Sequence, residues 1–112
     1  MPDNIITNLE FRQPRKETIE EVASSVYPGW HDLIKSMLDD LFELGWSGEL
    51  RQIKEKFGTL RVYIITGGNE DLHARVMKAE EESSHVCREC GEPGKLRDDG
   101  WVEALCDTHA GK

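Results

Sequence analysis

The sequence predicts an α+β fold, and three observations predict it. An apolar stripe of Trp30, Leu33, Ile34, Met37, Leu38, Leu41 and Leu44 recurs at helical spacing. Two strand-like runs, Leu50 to Phe57 and Leu60 to Ile65, flank Gly58-Thr59 as the arms of a β-hairpin flank their turn. A late segment spaces Cys87, Cys90, Cys106 and His109 as C-x2-C-x15-C-x2-H, the spacing of a metal-bound module.

The elements follow in order along the 112-residue chain. Ile5, Thr7, Leu9 and Phe11 alternate with Ile6, Asn8 and Glu10, so a short edge strand is expected there. It would make the hairpin a three-stranded antiparallel sheet. Pro14 and the Thr18-x-x-Glu21 box both resemble helix starts, and Ile19, Val22, Ala23 and Val26 share a face, predicting a helix over about 15–26. Tyr27-Pro28-Gly29 ends it, because proline disfavours a helical residue before it and lacks a donor. The apolar stripe predicts a second helix over about 30–44, with Lys35, Asp39, Asp40 and Glu43 facing water. Gly45 suits the left-handed position after that helix, which turns Trp46 back onto Leu41.

The hairpin is expected over about 49–66. Gly58 as the first residue of a two-residue loop suits a type II′ turn. In that register Phe57 faces Leu60, Glu55 faces Val62 and Ile53 faces Ile64 on the buried side. Lys54, Lys56, Arg61 and Tyr63 share the other side, and Glu55 stands oddly among apolar neighbours. It marks a bulge, a partner for Arg51, or a functional carboxylate. Asn69 is a good N-cap, with Glu70 and Asp71 in the first turn, for a third helix over about 70–84. Its inner face is Leu72, Val76, Ala79 and Ser83, and Glu80-Glu81-Glu82 reads as a solvated run. Residues 1–84 are thus expected to form an α+β body, with 85–112 a module packed on it.

That module is too short to bury a core of its own, and a structural zinc ion held by Cys87, Cys90, Cys106 and His109 would supply the stabilisation. Each close pair of ligands supplies one edge of a tetrahedron, and Gly91 permits the tight turn after the second cysteine. Lys95-Leu96-Arg97 and Trp101-Val102-Glu103 flank Asp98-Asp99-Gly100 as a small hairpin, in either a zinc-ribbon or a treble-clef-like arrangement. His85, two residues before Cys87, reads as an exposed residue, with a spare ligand or hydrogen-bond partner as the alternative.

Composition narrows the function. The formal charge is −8, which disfavours a nucleic-acid backbone on average. The cations are unevenly spread, however. Arg51, Lys54, Lys56 and Arg61 against Glu55 give residues 51–61 a net +3 and leave −11 for the rest. No apolar run approaches the roughly 20 residues that span a bilayer, so no membrane role is expected. The opening Met-Pro-Asp-Asn-Ile-Ile lacks the basic and apolar regions of a secretory signal, and an odd cysteine count with a CxxC favours metal or redox chemistry over a disulfide framework. A cytoplasmic location is expected.

No catalytic residues are expected. The H-x-E and P-C-x-x-C of zinc deaminases are missing, residues 91–105 lack the histidine that an HNH-type nuclease needs, and there is no P-loop or G-x-G-x-x-G. His31-Asp32 reads as a helix-start pair and His73 as exposed, which leaves no nucleophile–base–orienter set.

The run Ile53-Lys54-Glu55-Lys56-Phe57-Gly58-Thr59-Leu60-Arg61-Val62-Tyr63, with Cys87-x-x-Cys90-Gly91 and Cys106-x-x-His109, resembles a family of short bacterial and phage proteins of no assigned activity. The resemblance runs from about Trp30 to the end. It implies a zinc-bearing α+β fold and a phage or mobile-element setting, with host cytoplasm as the location of a phage-encoded member, and it carries no catalytic residue over. Three functions compete. The first is a zinc-stabilised interaction or regulatory protein that binds a protein partner, including a phage-type inhibitor of a host factor. The second is nucleic-acid or phosphate binding through Lys54, Lys56, Arg61 and Tyr63. The third is a small enzyme using Glu55. Sequence does not decide the oligomeric state.

Overall fold

The structure, a computed structural model, describes residues 6–10, 16–98 and 102–111. The chain order is β1 (Ile6–Glu10), α1 (Lys16–Ala23), a 3-10 turn (Pro28–Trp30), α2 (His31–Glu43), β2 (Glu49–Lys56), β3 (Thr59–Ile64), α3 (Glu70–Ser83), β4 (Lys95–Asp98) and β5 (Val102–Leu105). β1, β2 and β3 form an antiparallel sheet in that order, and β4 and β5 form a separate antiparallel hairpin. This is the α+β architecture that the apolar periodicities predict. Ile5, Phe11, Pro14, the Asp99-Gly100 pair and Trp101 lie outside the described residues.

The core sits between the helices and one face of the three-stranded sheet. Val22, Trp30, Ile34, Met37, Leu38, Leu41, Leu72, Val76 and Ala79 meet Leu50, Ile53, Leu60 and Val62 there. The α2 stripe is buried as its spacing requires, except that Leu33 is half-buried and Leu44 is 39% exposed at the helix end. The chain reverses after α2 as its residues dictate. Gly45 has φ 98°, its amide donates to the Phe42 carbonyl at 3.1 Å, and the Trp46 amide donates to the Leu41 carbonyl at 3.0 Å. Trp46 is thereby folded inward, 5% exposed, against Phe42 at 4.9 Å between ring centroids. The Asn69 side chain accepts from the Asp71 amide at 2.9 Å and caps α3.

α1 is shorter than expected. It starts at Lys16, so Thr18 lies inside it rather than at its cap, and it ends at Ala23 rather than near Val26. Ser24 and Ser25 close it with bonds back to Glu20 and Val22, the Ser25 hydroxyl taking the Val22 carbonyl at 2.6 Å. Serine thus ends the helix before the proline is reached, and Val26 remains buried without being helical.

The hairpin register differs from the expected one. Glu55 pairs with Leu60, Lys54 with Arg61, Ile53 with Val62 and Leu50 with Ile64. The two-residue loop is Phe57-Gly58, with φ 53° and 84°, a type I′ geometry in place of type II′. Phe57 is therefore not on the buried face but 69% exposed at the tip. Moving the loop by one residue moves the pairing by two, so the faces of the other strand residues stay as expected. A register irregularity at Arg51 then lets Leu50 and Ile53, three apart, both point inward. Two contacts remote in sequence favour this turn. A Cβ on Gly58 would lie 2.9 Å from Leu96 and the Val102 carbonyl, so the β4–β5 hairpin demands glycine there. Glu55 also turns its carboxylate onto the Gly58 amide at 2.7 Å, which accounts for a charged residue on that face; Arg51 pairs with Glu49 instead.

The free edge of β3 is closed by α3. The Leu60 amide donates to the Ser83 hydroxyl at 2.8 Å and the Val62 amide to the Glu80 carboxylate at 2.9 Å. Glu80 is thus half-buried and engaged rather than part of a solvated run. No described helix is long and apolar enough to cross a membrane.

Candidate metal centre

Cys87, Cys90, Cys106 and His109 converge although 22 residues separate the first from the last. Their ligand atoms all lie within 4.8 Å of one another. The sequence around each pair makes this so. After α3 the Gly91 amide donates to the Cys87 carbonyl at 2.9 Å, closing one turn with Gly91 at φ 83°. The Cys87 amide donates to the Glu92 carbonyl at 2.8 Å, and Val86 bridges Pro93. β4 and β5 then carry the chain back, and the Ala110 amide closes the second turn onto the Cys106 carbonyl at 2.9 Å.

The spacing fits one tetrahedral ion. Metal–sulfur bonds of about 2.3 Å and metal–nitrogen bonds of about 2.0–2.1 Å imply edges of about 3.8 Å between sulfurs and about 3.6 Å between sulfur and nitrogen. Cys90 Sγ and Cys106 Sγ are 3.8 Å apart, and His109 Nδ1 lies 3.6 Å from Cys87 Sγ and 3.3 Å from Cys106 Sγ. Three thiols and an imidazole at these distances can hold a metal ion.

The environment prepares these donors for a cation. Burial raises the Cys87 thiol, but the amides of Cys106, Glu89 and Cys90 outweigh it and bring it down to about 6. The backbone and ring of His109 lower Cys106, and the Cys106 sulfur in turn raises His109. At Cys90 the Glu92 amide lowers the thiol, but desolvation and the neighbouring Cys87 and Cys106 sulfurs outweigh it and leave it raised. Crowded thiolates repel one another, and a divalent cation at their centre removes that penalty.

The body holds the first turn from one side. The Trp30 indole donates to the Val86 carbonyl at 3.0 Å, and the Gly29 amide donates to the Arg88 carbonyl at 2.6 Å. A Cβ on Gly29 would overlap the Cys87 carbonyl oxygen and lie 2.6 Å from the Arg88 carbonyl carbon. Arg88, between the two cysteines, lies over the Tyr27 ring at 4.5 Å, donates to its hydroxyl at 3.2 Å and pairs with Glu89 and Glu103. Burial pushes the Tyr27 phenol up against the opposing pull of Arg88. In the sequence Tyr27-Pro28-Gly29 reads only as a helix stop. Its signal as a docking element was the Tyr27–Trp30 aromatic pair flanking Pro-Gly, which packs edge-on at 5.6 Å.

Other candidates are placed as follows. His85 faces Glu81 at 3.0 Å and is not in the cluster. His31 lies 2.6 Å from Glu20 and 3.1 Å from Asp32, tying α1 to α2. Lys54, Arg61, Lys56 and Tyr63 share the sheet face away from the core, Lys54 opposite Arg61. Fold and site thus define a small α+β protein with a Cys3His cluster suited to a metal ion. Comparison of the chain with family models, curated proteins and solved structures finds no match.

Proposed function

We propose that the protein is a zinc-stabilised interaction protein whose work is to bind a protein partner rather than to catalyse a reaction. The observation that carries this reading is the Cys3His tetrahedron. Thiolates with one imidazole are the donor set zinc takes in structural sites, and four protein ligands leave no position for a substrate. The ion joins the two ends of a segment that has little core of its own, and Ala104 and Trp30 extend that order into the body. The resemblance to short bacterial and phage proteins is compatible with a regulatory role, as a phage-type inhibitor of a host factor acting in the host cytoplasm. Protein purified without added metal is expected to contain one zinc per chain by elemental analysis, and Cys106→Ser to lose it. Capture of a partner that survives nuclease treatment supports the interaction reading. A metal-free, fully folded protein overturns the zinc assignment.

A further inference from the structure

The cations of this chain divide into two groups. Lys35, Arg51, Arg75, Arg88 and Arg97 each lie within an ion pair with a carboxylate. Among the described residues, Lys54, Lys56, Arg61, Lys78 and Lys95 pair with none, and of these Lys78 lies on α3 and Lys95 on β4. Arg61 is turned to the Thr59 hydroxyl at 3.1 Å, and the Lys56 ammonium lies 5.6 Å from the centre of the Phe57 ring. Lys54, Lys56 and Arg61 share the sheet face away from the core, Lys56 exposed and the other two half-buried. A chain of formal charge −8 thus gathers three of its five described unpaired cations on one sheet face.

Apolar groups border that face. Tyr63 is 45% exposed at one end and Phe57 projects from the other. Phe57 is the one described non-glycine residue with positive φ, in a turn where asparagine would sit with less strain. Leu96, 44% exposed, packs against the same turn at Gly58. A strained backbone that holds a phenyl ring in water, beside an exposed leucine and a lysine, is poor for stability alone and suited to an anchor.

We infer that this face, from Tyr63 across Arg61, Lys54 and Lys56 to Phe57 and Leu96, docks an extended acidic segment of the protein partner, with acidic and apolar side chains in alternation. The inference rests on the interaction reading above. Charge complementarity selects the class of occupant. Lys54 and Lys56 are two strand positions apart, about 7 Å, which is the interval between alternate side chains of an extended peptide. A short acidic segment lies wholly within the cationic face, whereas a long polyanion runs past it onto the acidic remainder of the molecule and is repelled there. Alternate apolar side chains of such a segment meet Phe57, Leu96 and Tyr63.

The test uses the full-length, zinc-loaded protein and two fluorescent probes of equal charge: a peptide alternating Glu-Leu with Asp-Phe, and an oligothymidylate. The peptide is expected to bind saturably and to weaken as salt rises from about 20 to about 150 mM. Lys54→Glu with Lys56→Glu is expected to weaken it about tenfold or more, through both association and retention. Phe57→Asn suits the turn better, so it is expected to keep or raise the melting temperature while weakening peptide binding several-fold. No peptide binding at low salt, or equal binding by the double charge reversal, overturns the inference. Tighter binding of the oligothymidylate overturns it in favour of single-stranded nucleic acid. Zinc content and capture of the native partner, measured on the same preparation, report separately on the interaction reading. A partner still captured by the double reversal refutes the docking face and leaves that reading standing.

Discussion

His31 shows how a single side chain sets a pH response. Its hydrogen bond to Glu20, then that to Asp32, holds its pKa above the ordinary 6.5. The protonated ring therefore stabilises the fold fully below 6.5, and that contribution is lost as pH rises through the folded-state value. The wild type is expected to lose denaturant resistance over that rise relative to His31→Gln, which should be flatter; parallel curves for the two proteins would remove His31 as the cause. Leu38, fully buried on α2, should cost about 2–5 kcal/mol when cut to alanine. Its neighbour Asp39, exposed and 3.4 Å from Lys35, should cost about 0.5 kcal/mol or less. Urea titration of both variants checks the helix face. These roles were legible in sequence to different degrees. Leu38 follows from periodicity. The His31–Asp32 contact follows from adjacency, but the stronger one to Glu20 required two helices to be packed together.

At the scale of elements, what was legible depended on whether the deciding interaction was local. The α2 boundary and the Asn69 cap are fixed by residues within a few positions, and both form as the sequence implies. The β2–β3 turn lies one residue from its expected place because its choice depends on Leu96 and Val102, some 40 positions away in the chain, pressing on Gly58. Apart from Phe57, which moves from the buried face to the tip, the faces are the expected ones, since period-two alternation survives a two-residue change of pairing. The approach of the Pro28–Trp30 turn to the first cysteine turn was not legible, because a glycine that ends a helix and one that admits a neighbouring backbone look alike in sequence. Gly29→Ala tests the second role. It forces backbone from backbone, so a loss of about 1–3 kcal/mol is expected, with the same zinc content at saturation. Equal stability by denaturant titration would mean that this approach is not needed.

For the whole molecule, the Cys3His cluster is the most legible feature and the docking of its segment on the body the least. The four donors are written as two close pairs, whereas Arg88, Tyr27 and Ala104 unite module and body only in three dimensions. Chelation should release the module first. Amide exchange is expected to accelerate at Cys87, Arg88, Gly91 and Gly94 while α2 stays protected; simultaneous loss throughout would show that body and module unfold as one unit. The closed edge of β3 has a different consequence, for self-association. With Leu60 and Val62 bound by Ser83 and Glu80, that edge offers no template at these two amides for strand-by-strand growth between molecules. The protection belongs to the last turns of α3 and not to the sheet, so fraying of that helix sets the rate at which the edge is bared. Fibril formation by this protein should accordingly follow the local opening of α3, and a substitution that loosens Glu80 or Ser83 should shorten the lag before aggregation even where the melting temperature barely moves.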